Sequence, residues 1–215
     1  MLLPYGQLIK KYNIQPKGII HCGASNGAEC KSYYDNGVEQ TIWIEPIKEV
    51  FEQLWQNVQK YPNVIVYNAL IDEEEKEVDF HISDNNGESS SMFEFGEHKE
   101  MHSNVHFKET IRMQTQRLDS ILKDVTGYDF INLDTQGAEL SCLKSLGYLL
   151  NKINYVYCEV NKTEVYKDIP LFDELCEWMN EKGFDLKEVG KWVKNTKGQD
   201  AWSDAFWIRK TKCIN

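Results

Sequence analysis

Residues 18–45 read GIIHCGASNGAECKSYYDNGVEQTIWIE, and this stretch decides the fold. Gly18–Cys22 is a short apolar run closed by a glycine turn. Gly27–Tyr34 carries a helical period, and Thr41–Ile44 is β-branched and aromatic. Strand, helix and strand in succession form the unit of a parallel sheet. The pattern continues outward. Val50, Phe51, Leu54 and Val58 share one helical face, and Val64–Tyr67 repeats the strand signal. Tyr128–Leu133 precedes a helical segment Ala138–Leu146, and Ile153–Cys158 precedes Leu171–Glu181. The spacing predicts an α/β fold with a mostly parallel sheet and helices on both faces. Phe184–Val189 and Ala205–Arg209, joined by a polar loop, read as a closing antiparallel hairpin. Trp43, Trp55, Trp178 and Trp207 are expected in the core.

The chain has 215 residues, a length that suits one domain over 1–215. Residues 1–17 read as an N-terminal helical segment. Residues 72–113 break the alternation. They hold an acidic DEEEKE turn read as solvated, a strand at Glu77–Ile82, the polar SDNNGESSS, HKEMHSNVHF, and a strand-like Ile111–Gln114. Such an insertion suits a lid or substrate loop. The formal charge is −10, which repels phosphate backbones and anionic membranes, so neither nucleic acid nor a membrane is expected as partner. No apolar run spans a bilayer, and the N-terminus lacks an export signal. The six cysteines (Cys22, Cys30, Cys142, Cys158, Cys176, Cys213) form no CxxC pair and read as reduced thiols of a cytoplasmic protein.

In open parallel sheets ligands bind beyond the carboxyl ends of the strands. After the first strand come His21, Cys22, Gly23, Ala24, Ser25, Asn26 and Gly27, a turn whose glycines permit close approach and whose polar groups sit before a helix. The second strand ends at Glu45, placed to accept both hydroxyls of a ribose. Together they indicate a nucleoside-containing cofactor. The third glycine of a dinucleotide loop is missing, which favours S-adenosylmethionine over NAD. Asp134 and Glu159 end the fourth and fifth parallel strands. Neighbouring strands lie about 4.8 Å apart, so these acids can share a cleft and there hold a divalent cation or deprotonate a hydroxyl.

The segments GIIHCGASNGAE, TIWIEP, SSSMFE, QRLDSIL, YDFINLDTQGAELSCLKSLG, YVYCEVNKTEVY and WSDAFWIRK, in order from Gly18 to Lys210, resemble the FkbM-family methyltransferases. The resemblance implies a class I methyltransferase (Rossmann-like) fold: a seven-stranded sheet with a C-terminal antiparallel hairpin. It also implies S-adenosylmethionine as cofactor and methyl transfer to oxygen. The acceptor would be a hydroxyl of a sugar, glycan or other small metabolite. Carried over by position, Gly23, Ser25 and Gly27 match the cofactor loop, with His21, Ala24 and Asn26 beside them. Glu45 matches the ribose acid, and Ala69 the adenine site. Ser89, Ser90 and Ser91 match a serine run at the active-site mouth. Asp134 and Glu159 match the strand-end acids, and His98 a family histidine able to serve as a base. His21 departs from the acid common at its position.

His98, His102 and His106 recur at i, i+4 and i+8, a zinc spacing if one helix ran through them. The polar sequence between them favours exposed loop histidines instead. Trp202, beside Asp204, suits an acceptor pocket, and Asn161 lies near it at a strand end. On this reading Asp134 and Glu159, with His98 third, are the catalytic candidates. Ser90, Ser91, Asn161, Trp202 and Asp204 are the substrate-binding candidates. A dehydrogenase-type Rossmann enzyme and a non-catalytic binding module of the same fold are the rival readings.

Overall fold

The computed structural model describes residues 2–211, so Cys213 lies outside the described residues. In chain order the elements are α1 (Tyr5–Tyr12), β1 (Gly18–Cys22), α2 (Cys30–Asp35), β2 (Gln40–Ile44), α3 (Lys48–Val58), β3 (Val64–Tyr67), β4 (Leu70–Ile71) and β5 (Glu77–Ser83). Next come α4 (His98–Met101), β6 (Phe107–Gln116), α5 (Leu118–Ile121), β7 (Phe130–Leu133), α6 (Glu139–Ser145) and a 3₁₀ turn Gly147–Lys152. The chain closes with β8 (Tyr155–Asn161), α7 (Phe172–Glu181), β9 (Phe184–Val189), β10 (Val193–Lys194) and β11 (Asp200–Arg209).

The main sheet runs β10-β11-β8-β7-β1-β2-β3, with β9 also paired to β11. Strands β3, β2, β1, β7 and β8 are parallel, and β11 is antiparallel to both β8 and β9. Strands β9 and β10 flank different stretches of β11 on its side away from β8, so the sheet has seven strand positions. This is the class I methyltransferase arrangement, hairpin included.

Alternation along each strand sorts side chains between two helical layers. Ile19, Trp43, Phe130, Tyr157 and Phe206 meet Tyr5 and Leu8 of α1, Tyr33 of α2, and Leu54 and Val58 of α3. Ile20, Ile42, Ile131, Val156 and Trp207 meet Leu118 of α5, Leu143 of α6, and Leu175 and Met179 of α7. Both faces of the parallel strands are therefore apolar, which is why β1 reads as an unbroken apolar run.

Three expectations change. The helix expected from Gly27 begins at Cys30, because Ser25 and Gly27 hold positive φ and close a turn first. The last strand starts at Asp200, since Ala201, Trp202 and Ser203 continue the ladder against β8 as far as Asn161. Trp55 is 40% exposed rather than core. It sits one residue past Leu54 on α3, about 100° around the helix from the buried stripe.

The insertion folds on itself. Strands β5 and β6 pair antiparallel from Glu77↔Gln114 to Ser83↔Phe107, and β4 joins β6 in parallel. The hairpin returns the chain over the carboxyl ends of the main strands, and residues 84–97 lie there between β5 and α4. No helix among the described residues is long and apolar enough to cross a membrane.

Candidate active site

A cavity of about 390 Å³ opens at the carboxyl ends of β1, β2 and β7, within the range of small-molecule sites. Its wall is built from three main-sheet turns and roofed by the insertion. Gly23, Ser25 and Asn26 come from the β1 turn. Glu45, Pro46 and Ile47 come from the β2 turn, and Asp134, Thr135 and Gln136 from the β7 turn. Ala69, Leu70 and Ile71 form an apolar flank, and Phe80, Gly87, Glu88, Ser90 and Met92 close the roof.

Gly23 is required by its neighbour. Its φ is +72°, and a Cβ there would lie 1.8 Å from the Asp134 carbonyl oxygen. The amides of Gly23 and Ala24 donate to the Ile44 carbonyl, and the Asp134 amide donates to Cys22. The three turns are thus joined backbone to backbone. Gly27 faces the other way, where a Cβ would meet Leu54 and Val58 at 2.7 and 2.8 Å. It serves helix packing and does not reach the cavity.

Glu45 is buried, and its two carboxylate oxygens accept the amides of Ser25 and Ile47, each at 2.9 Å. Each oxygen retains a second lone pair. Burial is the main reason its pKa is pushed up to about 7, partly offset by those amides. The Ser25 amide is therefore already engaged by Glu45, and the helix that follows the loop starts beyond it, at Cys30.

Asp134 opens onto the cavity. The protein massed around this recess raises its pKa above the usual carboxylate range, against the donor Gln136, with Glu139 and Asp204 adding to the rise. Glu159 lies on the other side of the Thr135–Gly137 turn. It lines a separate small crevice with Gly137, Glu139 and Asn161, and its pKa is raised by burial and by the Asp134 charge. The two acids sense each other but do not share a hollow, as strand spacing alone suggested. Among the described residues no three His, Cys, Asp or Glu side chains converge as a metal set. A cation between Asp134 and Glu159 lacks its ligands.

Five other candidates sit away from the cavity. His21 is buried between Trp43 and Tyr33, with Asn132 Nδ2 3.2 Å from its Nε2. Burial lowers its pKa to about 4, so the imidazole is a neutral core group, its side chain fixed by the all-buried β1. Asp204 accepts the Tyr157 hydroxyl and the Leu2 amide, fastening the N-terminal residues to the sheet. Trp202 packs against the buried cluster of Val165, Tyr166, Ile169 and Ala201, and Asn161 belongs to the Glu159 crevice. Ala24 is buried in the α1–α2 layer.

The serine run divides in role. Ser90 lines the cavity and its hydroxyl holds the Ser83 amide at 3.0 Å. Ser91 Oγ donates to the Gln136 carbonyl at 2.7 Å, pinning the roof to the β7 turn. Ser89 lies behind, its Oγ 3.0 Å from His98 Nε2. His98 is buried against Phe95, off the cavity, and burial lowers its pKa to about 4. The helix carrying it ends at Met101, so no single helix aligns His98, His102 and His106. Sequence reasoning missed Gln136 and Tyr166. Gln136 Nε2 donates to Asp134 at 2.6 Å, and the Tyr166 hydroxyl donates to Gln136 Oε1 at 2.7 Å. Tyr166 is thirty residues on, with no local spacing to announce it.

The residues present suit S-adenosylmethionine. Glu45 offers two acceptor sites for a ribose, the Ala69–Ile71 flank an apolar face for adenine, and the turn beside Asp134 an acidic setting for the cationic end. Solved methyltransferases share the fold. M. capricolum TrmK in complex with S-adenosylhomocysteine superposes at TM-score 0.52 and 10% identity, over 99% of this chain and 70% of that one. Burkholderia thailandensis 1,6-didemethyltoxoflavin-N1-methyltransferase gives 0.51 and 9%, over 98% and 78%. Streptococcus pneumoniae Sp1610, a putative tRNA (m1A22) methyltransferase in complex with S-adenosyl-L-methionine, gives 0.50 and 12%, over 100% and 76%. No curated protein matches the chain in sequence. The Methyltransferase FkbM domain model matches residues 21–186, most of the sequence, and the chain belongs to the FkbM methyltransferase family.

Proposed function

We propose that this methyltransferase is an O-methyltransferase that acts on a hydroxyl of a small uncharged acceptor, a sugar unit of a glycan or another hydroxylated metabolite, with S-adenosylmethionine as donor. The observation that carries the reading is the cavity lining: Glu29, Glu45, Glu88 and Asp134, with no lysine or arginine among the wall residues. A phosphate-bearing acceptor meets repulsion there and no partner. Unpaired buried thiols such as Cys22, Cys142 and Cys158 fit work in a reducing compartment such as the cytoplasm.

When bound, S-adenosylmethionine supplies an electrophilic methyl on a sulfonium. The chain's own residues do the rest. Glu45 holds the ribose, and Ile44, Ala69 and Leu70 face the base. Asp134, with a raised pKa, would take the proton as the acceptor O–H bond breaks, the new C–O bond forms and the methyl–sulfur bond breaks, its electron pair passing to the departing thioether. Base catalysis of this kind supplies about 10²–10⁴-fold. Phe80 and Met92 in the roof exclude water, and Ser90 offers a hydroxyl to orient the acceptor. Glu159 is held protonated by burial and by the Asp134 charge and lies outside the cavity.

The test is S-adenosylhomocysteine release with methyl glycosides, free nucleosides, phosphosugars and tRNA as acceptors. The reading expects turnover with uncharged glycosides, retained after exhaustive chelation. Asp134→Asn should lower kcat at least about 100-fold while donor affinity stays within tenfold. Turnover confined to tRNA or phosphosugars, or an Asp134→Asn enzyme as fast as the parent, overturns it.

A further inference from the structure

Gln136 stands out in the site. It is a non-glycine residue at φ +54°, followed by Gly137 at +106°. A left-handed conformation at such a residue costs about 1 kcal/mol or more and persists only where its surroundings hold it. Three contacts do so. The backbone carbonyl receives Ser91 Oγ at 2.7 Å, the side-chain amide donates to Asp134 Oδ1 at 2.6 Å, and Oε1 accepts the Tyr166 hydroxyl at 2.7 Å. Tyr166 is fully buried, and its hydroxyl also lies 3.2 Å from the Ser89 carbonyl on the roof loop. Burial raises the Tyr166 pKa far above its ordinary value, so the phenol keeps its proton.

Resting on the reading of Asp134 as the proton acceptor, we propose that Gln136 and Tyr166 are positioning residues forming a reversible hydrogen-bond relay. The relay aims Asp134 and joins its protonation to the roof loop. With Asp134 ionised, the chain runs one way. Tyr166 donates to Gln136 Oε1, which leaves the amide N–H₂ facing Asp134, and the carboxylate accepts. With Asp134 protonated it runs the other way. The acid proton is donated to Oε1 of a turned amide, the amide N–H₂ donates to the Tyr166 oxygen, and the phenol proton goes wholly to the Ser89 carbonyl. Every donor has an acceptor in both states, because a primary amide and a hydroxyl can each do either. Only the proton taken from the acceptor is added, and no bond is left unmade. A turn of the amide, with no backbone motion, then tightens the bond to Ser89 once the proton has arrived.

The relay also sets where Asp134 titrates. Its other neighbours are acids: Glu45 from β2, Glu139 from α6, Glu159 from β8 and Asp204 from β11. The charges of Glu139 and Asp204 disfavour the carboxylate, and the Gln136 N–H₂, aimed by Tyr166, opposes them, because its bond to the carboxylate is charge-assisted while that of the reversed chain is neutral. Removing the lock should therefore raise the Asp134 titration point.

The experiment needs no acceptor. The Asp134 side-chain carboxyl ¹³C resonance, assigned by its loss in Asp134→Asn, is followed by NMR from pH 4 to 9 in the full chain. Tyr166→Phe should move its midpoint up by ~0.5–1 pH unit. Gln136→Glu keeps the shape but places a second acid against Asp134, and should move it further in the same direction. If Tyr166→Phe fails to fold, the half-exposed Gln136→Glu carries the test alone. Midpoints unchanged in the folded variants, or lowered, overturn the relay. The turnover of Asp134→Asn described above judges the base assignment separately, so failure of one is distinguishable from failure of the other.

Discussion

Replacing Glu45 by glutamine separates what this side chain does for the fold from what it does for the cofactor. A buried carboxyl held at about 7 rather than near 4.5 costs on the order of 3 kcal/mol when ionised. Its folded pKa is the higher one, so its stabilising contribution is complete below pH 4.5 and is lost as pH rises through 7. Between pH 5 and pH 8 the loss is about 2.5 kcal/mol. The glutamine of the variant cannot titrate, but its amide turns a donor toward the Ser25 or Ile47 N–H, costing about 1–3 kcal/mol at every pH. Urea unfolding of parent and Glu45→Gln at both pH values cancels the other raised acids, Asp134, Glu139 and Glu159, which both proteins share. The stability difference should move by about 2.5 kcal/mol in favour of glutamine from pH 5 to pH 8. Calorimetry at pH 8 should show S-adenosylmethionine binding at least tenfold weaker in the variant. A stability difference constant with pH to within about 0.5 kcal/mol would refute the burial argument. An affinity within twofold would refute the ribose role.

Three further outcomes follow from the geometry. Gly23→Ala combines a left-handed alanine with a Cβ placed 1.8 Å from a backbone oxygen. It should cost on the order of 3 kcal/mol in denaturant unfolding, and unchanged stability would mean the turns are not in contact. His98→Gln should keep turnover within about tenfold, against the 10²–10⁴-fold loss of a general base, measured by S-adenosylhomocysteine release. Asp204→Asn should lower stability by about 1–3 kcal/mol through the Tyr157 and Leu2 bonds. Donor affinity should stay put, as calorimetry would show.

The parallel strands were legible because they are buried on both faces. Gly18–Cys22 and Thr41–Ile44 announce themselves as apolar runs, and Glu45 follows as a strand-end acid. The same logic misplaced His21, since an all-buried strand sends its imidazole into the core beside Trp43 rather than to the ligand. It also merged Asp134 and Glu159 into one cleft, because strand spacing says nothing of a turn lying between them. Asp204 was read for its neighbour Trp202, but its partners are Leu2 and Tyr157, set by sheet register. The relay through Gln136 and Tyr166 joins side chains from different loops, and only the folded chain brings them within hydrogen-bond reach.

The wall of carboxylates bears on how a catalytic cycle ends. The methyl donor is a cation and the spent thioether is neutral, so Glu29, Glu45, Glu88 and Asp134 attract the first and are indifferent to the charge of the second. The field that gathers donor gives the product no matching hold, and discrimination between them is written into charge rather than shape. The ratio of the two dissociation constants should therefore shrink as salt is raised, by calorimetry at matched pH. A salt-independent ratio would locate the discrimination elsewhere.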